Sequence, residues 1–202
     1  QDETGIRASD AIVRGLILLP YVAPVVAVAF VWKTMLNPQF GVINEWGVRF
    51  LGWSETIPFL SQRSTALLTV IVFEIWRYYP FAFLFLMARL QAVPTDTEEA
   101  ARVDGATPLQ SFRHILLPQL LPTMAVLFVL RFIFTFSKFD DVYLLTGGGS
   151  GTEVVSVRVF ELLTSRKDVS AACAQAVVLA IVLVILLMIQ RRATRRWNGD
   201  PQ

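Results

Sequence analysis

The chain has 202 residues, of which 54% are hydrophobic and only 17% are charged, with a formal net charge of +2. Soluble domains carry about 25% charged residues, so part of this apolar material must face something other than water. The net charge is too small to suggest a nucleic-acid-binding surface, and the single cysteine, Cys173, excludes a disulfide-stapled module.

A bilayer-spanning helix needs roughly 20 mostly apolar residues. The first stretch of that length is 11–32, which contains Arg14, Pro20 and Pro24. The second, 66–90, carries Glu74, Arg77 and Pro80. Between this span and the next lies 94–116, which is unlike a passive loop. Thr95 followed by Glu98 predicts a capping box at a helix start. That helix is expected to stop at Gly105, a residue free to take positive φ. Thr107, Pro108 and Gln110 then predict a second start, with proline at the first position. The predicted object is a helix–glycine–helix elbow whose surface offers Ala100, Ala101, Ala106, Leu109 and Phe112. Two readings stand for it: a bend that enters a groove on a partner, or a well-capped connector resting on the bilayer or its own bundle.

The third span, 117–137, includes Pro118, Pro122 and Arg131, and the fourth, 171–190, has no charge at all. Alternating hydrophobicity is missing, so a β-barrel is not expected. Prolines inside a membrane helix signal kinks more than ends, because neighbours can re-satisfy the freed carbonyls. The fold class is therefore all-α integral membrane, a kinked helix bundle in the cell membrane. Arg191, Arg192, Arg195 and Arg196 follow the last span and should stay cytoplasmic. With four crossings, that puts both termini and segment 94–116 on the cytoplasmic side.

Charges near mid-bilayer cost about 2.5–3.5 kcal/mol each if they face lipid, so Glu74, Arg77 and Arg131 should face the bundle interior or a wet cavity. Glu74 and Arg77 lie one helical turn apart and can pair. No phosphate-cradling GxxxxGK[ST] loop occurs, and GGGSG at 147–151 has no lysine after it.

Three blocks carry a family resemblance. Glu99-Ala100-Ala101, then Gly105, then Ile115-x-Leu117-Pro118 resembles the EAA signature of binding-protein-dependent ABC importer permeases. The run Phe139-Asp140-Asp141-Val142-Tyr143-Leu144-Leu145-Thr146-Gly147-Gly148-Gly149 resembles a stretch of the carbohydrate-type members, the maltose and glycerol-phosphate-like permeases. So does Leu18-Leu19-Pro20-Tyr21-x-x-Pro24 with Trp32 and Leu36-Asn37-Pro38. The resemblance implies a MetI-like permease core, with four of the usual six core helices present. The chain is then expected to be a fragment of a longer subunit or a shortened homologue.

The resemblance further implies that the elbow is a coupling helix, with Glu99, Ala100, Ala101, Arg102, Asp104 and Gly105 contacting a cytoplasmic ATP-binding subunit. ATP and Mg would sit in that partner, with no cofactor bound by this chain and no catalysis by it. A second, related permease subunit and an extracytoplasmic solute-binding protein are implied too, the latter touching Gly147, Gly148 and Gly149. Those outer segments also suit simple anchoring at the membrane surface. The substrate would be a sugar or polyol, with Glu74, Arg77, Tyr78, Arg131 and Phe136 along its path. The other reading of these charges is an internal ion pair that fixes helix packing. The rival functions are an ion-coupled secondary transporter and a membrane scaffold without a pathway.

Overall fold

A computed structural model describes the backbone of residues 2–197 and the side chains of 12–97, 99–190 and 192. Glu98, Arg191, Arg195 and Arg196, which carry one capping expectation and most of the orientation argument, have side chains outside those described. All regular structure among the described residues is helical: α1 (Asp2–Val22), α2 (Val25–Met35), α3 (Val42–Phe50), α4 (Arg63–Gln91), α5 (Thr95–Val103), α6 (Pro108–Ser111), a π-helical turn (Phe112–Leu116), α7 (Leu117–Phe136), α8 (Asp140–Thr146), α9 (Val155–Thr164) and α10 (Val169–Trp197).

Among the described residues, three helical stretches are long and apolar enough to cross a membrane: Arg63–Gln91, Pro108–Phe136 and Val169–Gln190. The first expected span is not one helix. Ile12–Val22 and Val25–Met35 meet at 92°, so it is either a broken span or a re-entrant pair. The prolines behave differently according to their place. Pro80 and Pro122 lie inside α4 and α7, which run through them. Pro24 caps α2 and ends the preceding run, where a proline both lacks an amide hydrogen and restricts the residue before it. Before Pro118 the helix widens by one residue, with the Leu117 N–H donating to the Phe112 carbonyl. A π turn of this kind redistributes donors where a proline has removed one.

The chain forms two compact units, Gln1–Tyr78 with Ser137–Val182, and Tyr79–Phe136 with Leu183–Gln202. In the first, Val28 and Ala29 of α2, Val70 and Phe73 of α4, Val142 and Leu145 of α8 and Val157 of α9 make a buried cluster. Trp32 packs edge-on to Phe73 at 5.2 Å and tilts against Trp76 at 5.5 Å. In the second unit Val93, Ala101, Leu120 and Leu127 are buried. By contrast, Val177, Val178, Ile181 and Val184 of α10 are each more than half exposed. Such a helix is stable only with lipid or a partner against it.

Loops of the first unit are held by Asn44, which is 1% exposed. Its Oδ1 accepts from the Ile57 N–H at 2.7 Å, while Nδ2 donates to the carbonyls of Ile57 at 3.0 Å and of Leu36 and Asn37 at 3.3 Å. Asn44→Ala removes the partner of the Ile57 N–H and of the Leu36 carbonyl, while the Asn37 and Ile57 carbonyls keep the Gly41 and Phe59 N–H groups, a loss of about 1–3 kcal/mol. The thermal midpoint in detergent is expected to fall by several degrees, and a midpoint equal to wild type would contradict this role.

Candidate functional site

The elbow lies within the second unit. Helix α5 is capped by Pro94 with no side-chain hydrogen bond, so Thr95 is already helical and does not cap it, and the Glu98 half of the expected box lies outside the described side chains. Pro94, with its extended ψ of 132°, starts the helix one residue earlier than the threonine signal implied. The other end matches the expectation. Gly105 has φ +76°. The Ala106 N–H reaches the Ala101 carbonyl at 2.9 Å and the Gly105 N–H reaches the Arg102 carbonyl at 3.1 Å. This pair of bonds is the Schellman termination, which requires a left-handed residue at that point.

The second start is a full capping box. Gln110 N–H donates to Thr107 Oγ1 at 3.4 Å, and Thr107 N–H donates to Gln110 Oε1 at 2.8 Å. Arg89 Nε donates to the Gln119 carbonyl at 3.3 Å and braces the end of α4 against the start of α7. The bend is thus fixed on both sides.

Glu99, Ala100, Arg102, Asp104 and Gly105 are all exposed. Ala101 is not, at 6%, so it packs inward rather than presenting a surface. Val103 at 87%, Leu109 at 75% and Phe112 at 46% leave large apolar groups uncovered around the bend.

The first unit contains a buried cluster of charges. Glu74, Arg77 and Tyr78 of α4 meet Asp141 of α8 and Lys138 just before it. Lys138 Nζ lies 2.6 Å from Asp141 Oδ2 and 3.7 Å from Glu74 Oε1. Arg77 Nε faces Asp141 Oδ1 at 3.7 Å. The Tyr78 hydroxyl donates to Asp141 Oδ2 at 2.9 Å, contacts Lys138, and its ring lies 3.7 Å from the Lys138 ammonium. Glu74 and Arg77, one turn apart on α4, thus each face a counter-charge outside that helix, Lys138 and Asp141 respectively. Within a helix turn the two side chains can touch, but Asp141 and Lys138 offer each a counter-charge already buried beside it.

Asp141 is fully buried. Burial by itself raises its carboxyl, but hydrogen bonds with Glu74 and Lys138, the Lys138 charge and the Tyr78 hydroxyl outweigh that and hold it below its ordinary 3.8. Lys138 and Asp141 were not among the site residues expected from sequence. Their i,i+3 spacing next to the FDD run is the one local signal that could have found them.

Arg131 and Phe136 belong to the second unit. Arg131 is half-buried, and Phe136 stacks in a ladder with Phe132 at 6.4 Å, which stacks on Phe128 at 6.5 Å.

Gly147 has φ +63° and ends α8, its N–H donating to the Tyr143 carbonyl at 3.0 Å. Gly148 has φ +81°, and a Cβ there would meet Val157 Cγ1 at 2.7 Å. These two glycines are explained by turn geometry and close packing on α9. The Ser150 hydroxyl donates to the Ser61 carbonyl at 2.8 Å and ties the loop to the approach to α4. Beside it opens a cleft of about 830 Å³, bounded by Lys33, Asn37, Phe40, Phe59, Tyr143 and Gly147 among others.

These features define a multi-pass membrane protein with an exposed apolar elbow fixed at its helix ends and a charge cluster that ties helices of the first unit together. The chain belongs to the family described as binding-protein-dependent transport system inner membrane component, which it matches over residues 7–198. It is 35% identical over 180 residues to the inner membrane ABC transporter permease protein YcjO of Escherichia coli (strain K12), covering 89% of this chain and 60% of that protein. It is 36% identical over 146 residues to the trehalose/maltose transport system permease protein MalF of Thermococcus litoralis, covering 72% of this chain and 49% of the other. Among solved structures it resembles a bacterial ABC transporter involved in the import of the acidic polysaccharide alginate. The TM-score there is 0.77 at 25% identity, over 94% of this chain and 66% of that one. The chain thus spans about half to two thirds of the length of these relatives.

Proposed function

We propose that the chain is permease-subunit material of an ABC importer that moves a sugar or related polyol into the cell by ATP-driven alternating access. The observation that carries this reading is the elbow: a bend locked at both caps, with Val103, Leu109 and Phe112 uncovered around Gly105. It serves as the coupling helix, seated in a cleft of a cytoplasmic ATP-binding subunit, with Glu99, Arg102 and Asp104 supplying polar contacts at the rim. Ala100 and Gly105 let the partner approach closely, and Ala101 supports the bend from inside. ATP and Mg belong to the partner, and this chain itself binds no cofactor.

A sister permease subunit completes the pathway, which suits the exposed apolar faces of α7 and α10. Both termini and the elbow face the cytoplasm. The Gly147–Gly149 loop and its neighbouring cleft then face outward and receive the solute-binding protein, an assignment in keeping with the family description. On the substrate path we place Arg131 and Phe136, while Glu74, Arg77 and Tyr78 tie the helices of the first unit together.

Reconstitution of the full complex in proteoliposomes tests the proposal. Sugar uptake is expected to require ATP on the side of the elbow and to stop when hydrolysis is blocked. Uptake driven by an ion gradient without ATP would overturn it in favour of a secondary transporter.

A further inference from the structure

Pro24 creates a deficit that α1 and α2 do not repair by themselves. A proline nitrogen carries no hydrogen, so the carbonyl of Pro20, four residues earlier, loses the donor a continuous helix would give it. The helix axis turns by 92° at this point. Beyond the turn the hydrogen-bond ladder restarts with Val28 N–H donating to the Pro24 carbonyl at 3.1 Å, which leaves the Ala23 carbonyl outside it. In an apolar surrounding without water, carbonyls of this kind must be satisfied by protein groups.

Arg77 of α4 reaches both. Its Nη1 donates to the Pro20 carbonyl at 3.3 Å and its Nη2 to the Ala23 carbonyl at 3.2 Å. The residue is 7% exposed. Its remaining nitrogen, Nε, faces Asp141 Oδ1 at 3.7 Å, so the charge is balanced without taking either terminal nitrogen from the carbonyls. Lys138 in turn balances the second oxygen of Asp141 and Glu74. The planar fork sets three separate nitrogens toward the two carbonyls and the counter-ion in a fixed geometry, which the single ammonium of lysine does not reproduce.

The geometry points to Arg77 as a positioning residue: its guanidinium stands in for the amide that Pro24 lacks and sets the angle of the broken span. Asp141 and Lys138 hold it in that role, so its head is not available to substrate. The capping stands on the hydrogen-bond geometry, and only its consequence for uptake rests on the importer reading.

The test measures the break directly. In the assembled complex, with the exposed Cys173 replaced by Ser, spin labels at Leu16 and Val31, which are 64% and 55% exposed, report the distance across the turn. Arg77→Met is expected to broaden and lengthen that distribution, and Arg77→Lys, which keeps a charge opposite Asp141 but not the fork, to broaden it as well. In a Pro24→Ala background an amide hydrogen returns, so Arg77→Met should lower the thermal midpoint by less than half as much as it does with Pro24 present. The unpaired Asp141 is common to both backgrounds and cancels in that comparison. A distribution unchanged by Arg77→Lys, or equal losses in the two backgrounds, would overturn the assignment and leave Arg77 as a counter-ion to Asp141. If Arg77→Met gives no folded protein, recovery of folded protein with Pro24→Ala supports the assignment, and no recovery contradicts it.

Discussion

Gly105→Trp is expected to leave the chain folded and in the membrane while abolishing the link between substrate arrival and ATP hydrolysis. The substitution has two separable effects. Gly105 has φ +76°, so every side chain meets some backbone strain there, on the order of 1–2 kcal/mol. A Cβ at the position meets nothing within 4 Å inside the chain, so bulk by itself creates no internal clash. Gly105→Asn, which tolerates the left-handed region, should therefore behave nearly as wild type. Gly105→Ala should show the strain alone. Tryptophan adds volume that only a partner can feel, and a clash at the centre of an interface costs about 3 kcal/mol or more, roughly a hundredfold in association. Substrate-stimulated ATPase of the complex is the readout. Activity of the Trp variant equal to that of the Ala variant would mean that nothing docks at the bend.

The second large effect is expected at Asp141. Asp141→Asn leaves Lys138 and Arg77 buried with one counter-charge fewer, at 15% and 9% side-chain exposure. Removing one partner from a buried pair costs about 3–5 kcal/mol. Asp140→Asn, one residue earlier and exposed, is the control and should stay within about 0.5 kcal/mol of wild type. The pH dependence follows the same logic. The Asp141 carboxyl is held below its ordinary 3.8 in the folded chain, so its contribution is fully present above that value. It is lost as pH falls through the lowered one. The wild-type thermal midpoint should therefore drop in acid, and the Asn variant should lack this component of the drop. Equal acid slopes in the two proteins would contradict the assignment of the cluster as an ionic tie.

Much of this was legible in the residues. Twenty-residue apolar runs report on the bilayer itself, so α4, α7 and α10 lie where hydropathy places them. Gly105 was legible because a left-handed helix end has few alternatives to glycine. Two things were not. Pro24, Pro80 and Pro122 look alike in sequence, yet only Pro24 breaks its helix. The difference lies in whether surrounding groups can take over the freed carbonyls without a change of direction, which is a tertiary matter. The charge cluster was half visible. Glu74 and Arg77 announce themselves inside a span, but their partners lie far along the chain. Tyr78 and Asp141 are 63 positions apart, and no local pattern connects α4 to α8. Thr95 does not take the N-cap position for a smaller reason: a proline immediately before can start a helix on its own.

In the function proposed here, the bent strip around Gly105 seats itself in an ATP-hydrolysing subunit. The most direct measurement places a photo-crosslinking side chain at Val103 or Leu109, both on the uncovered surface, and irradiates intact membranes containing the whole complex. A covalent adduct with the ATP-binding subunit, weakened by Gly105→Trp, is the result predicted here. An adduct with an extracytoplasmic protein, or adducts with lipid only, would contradict it.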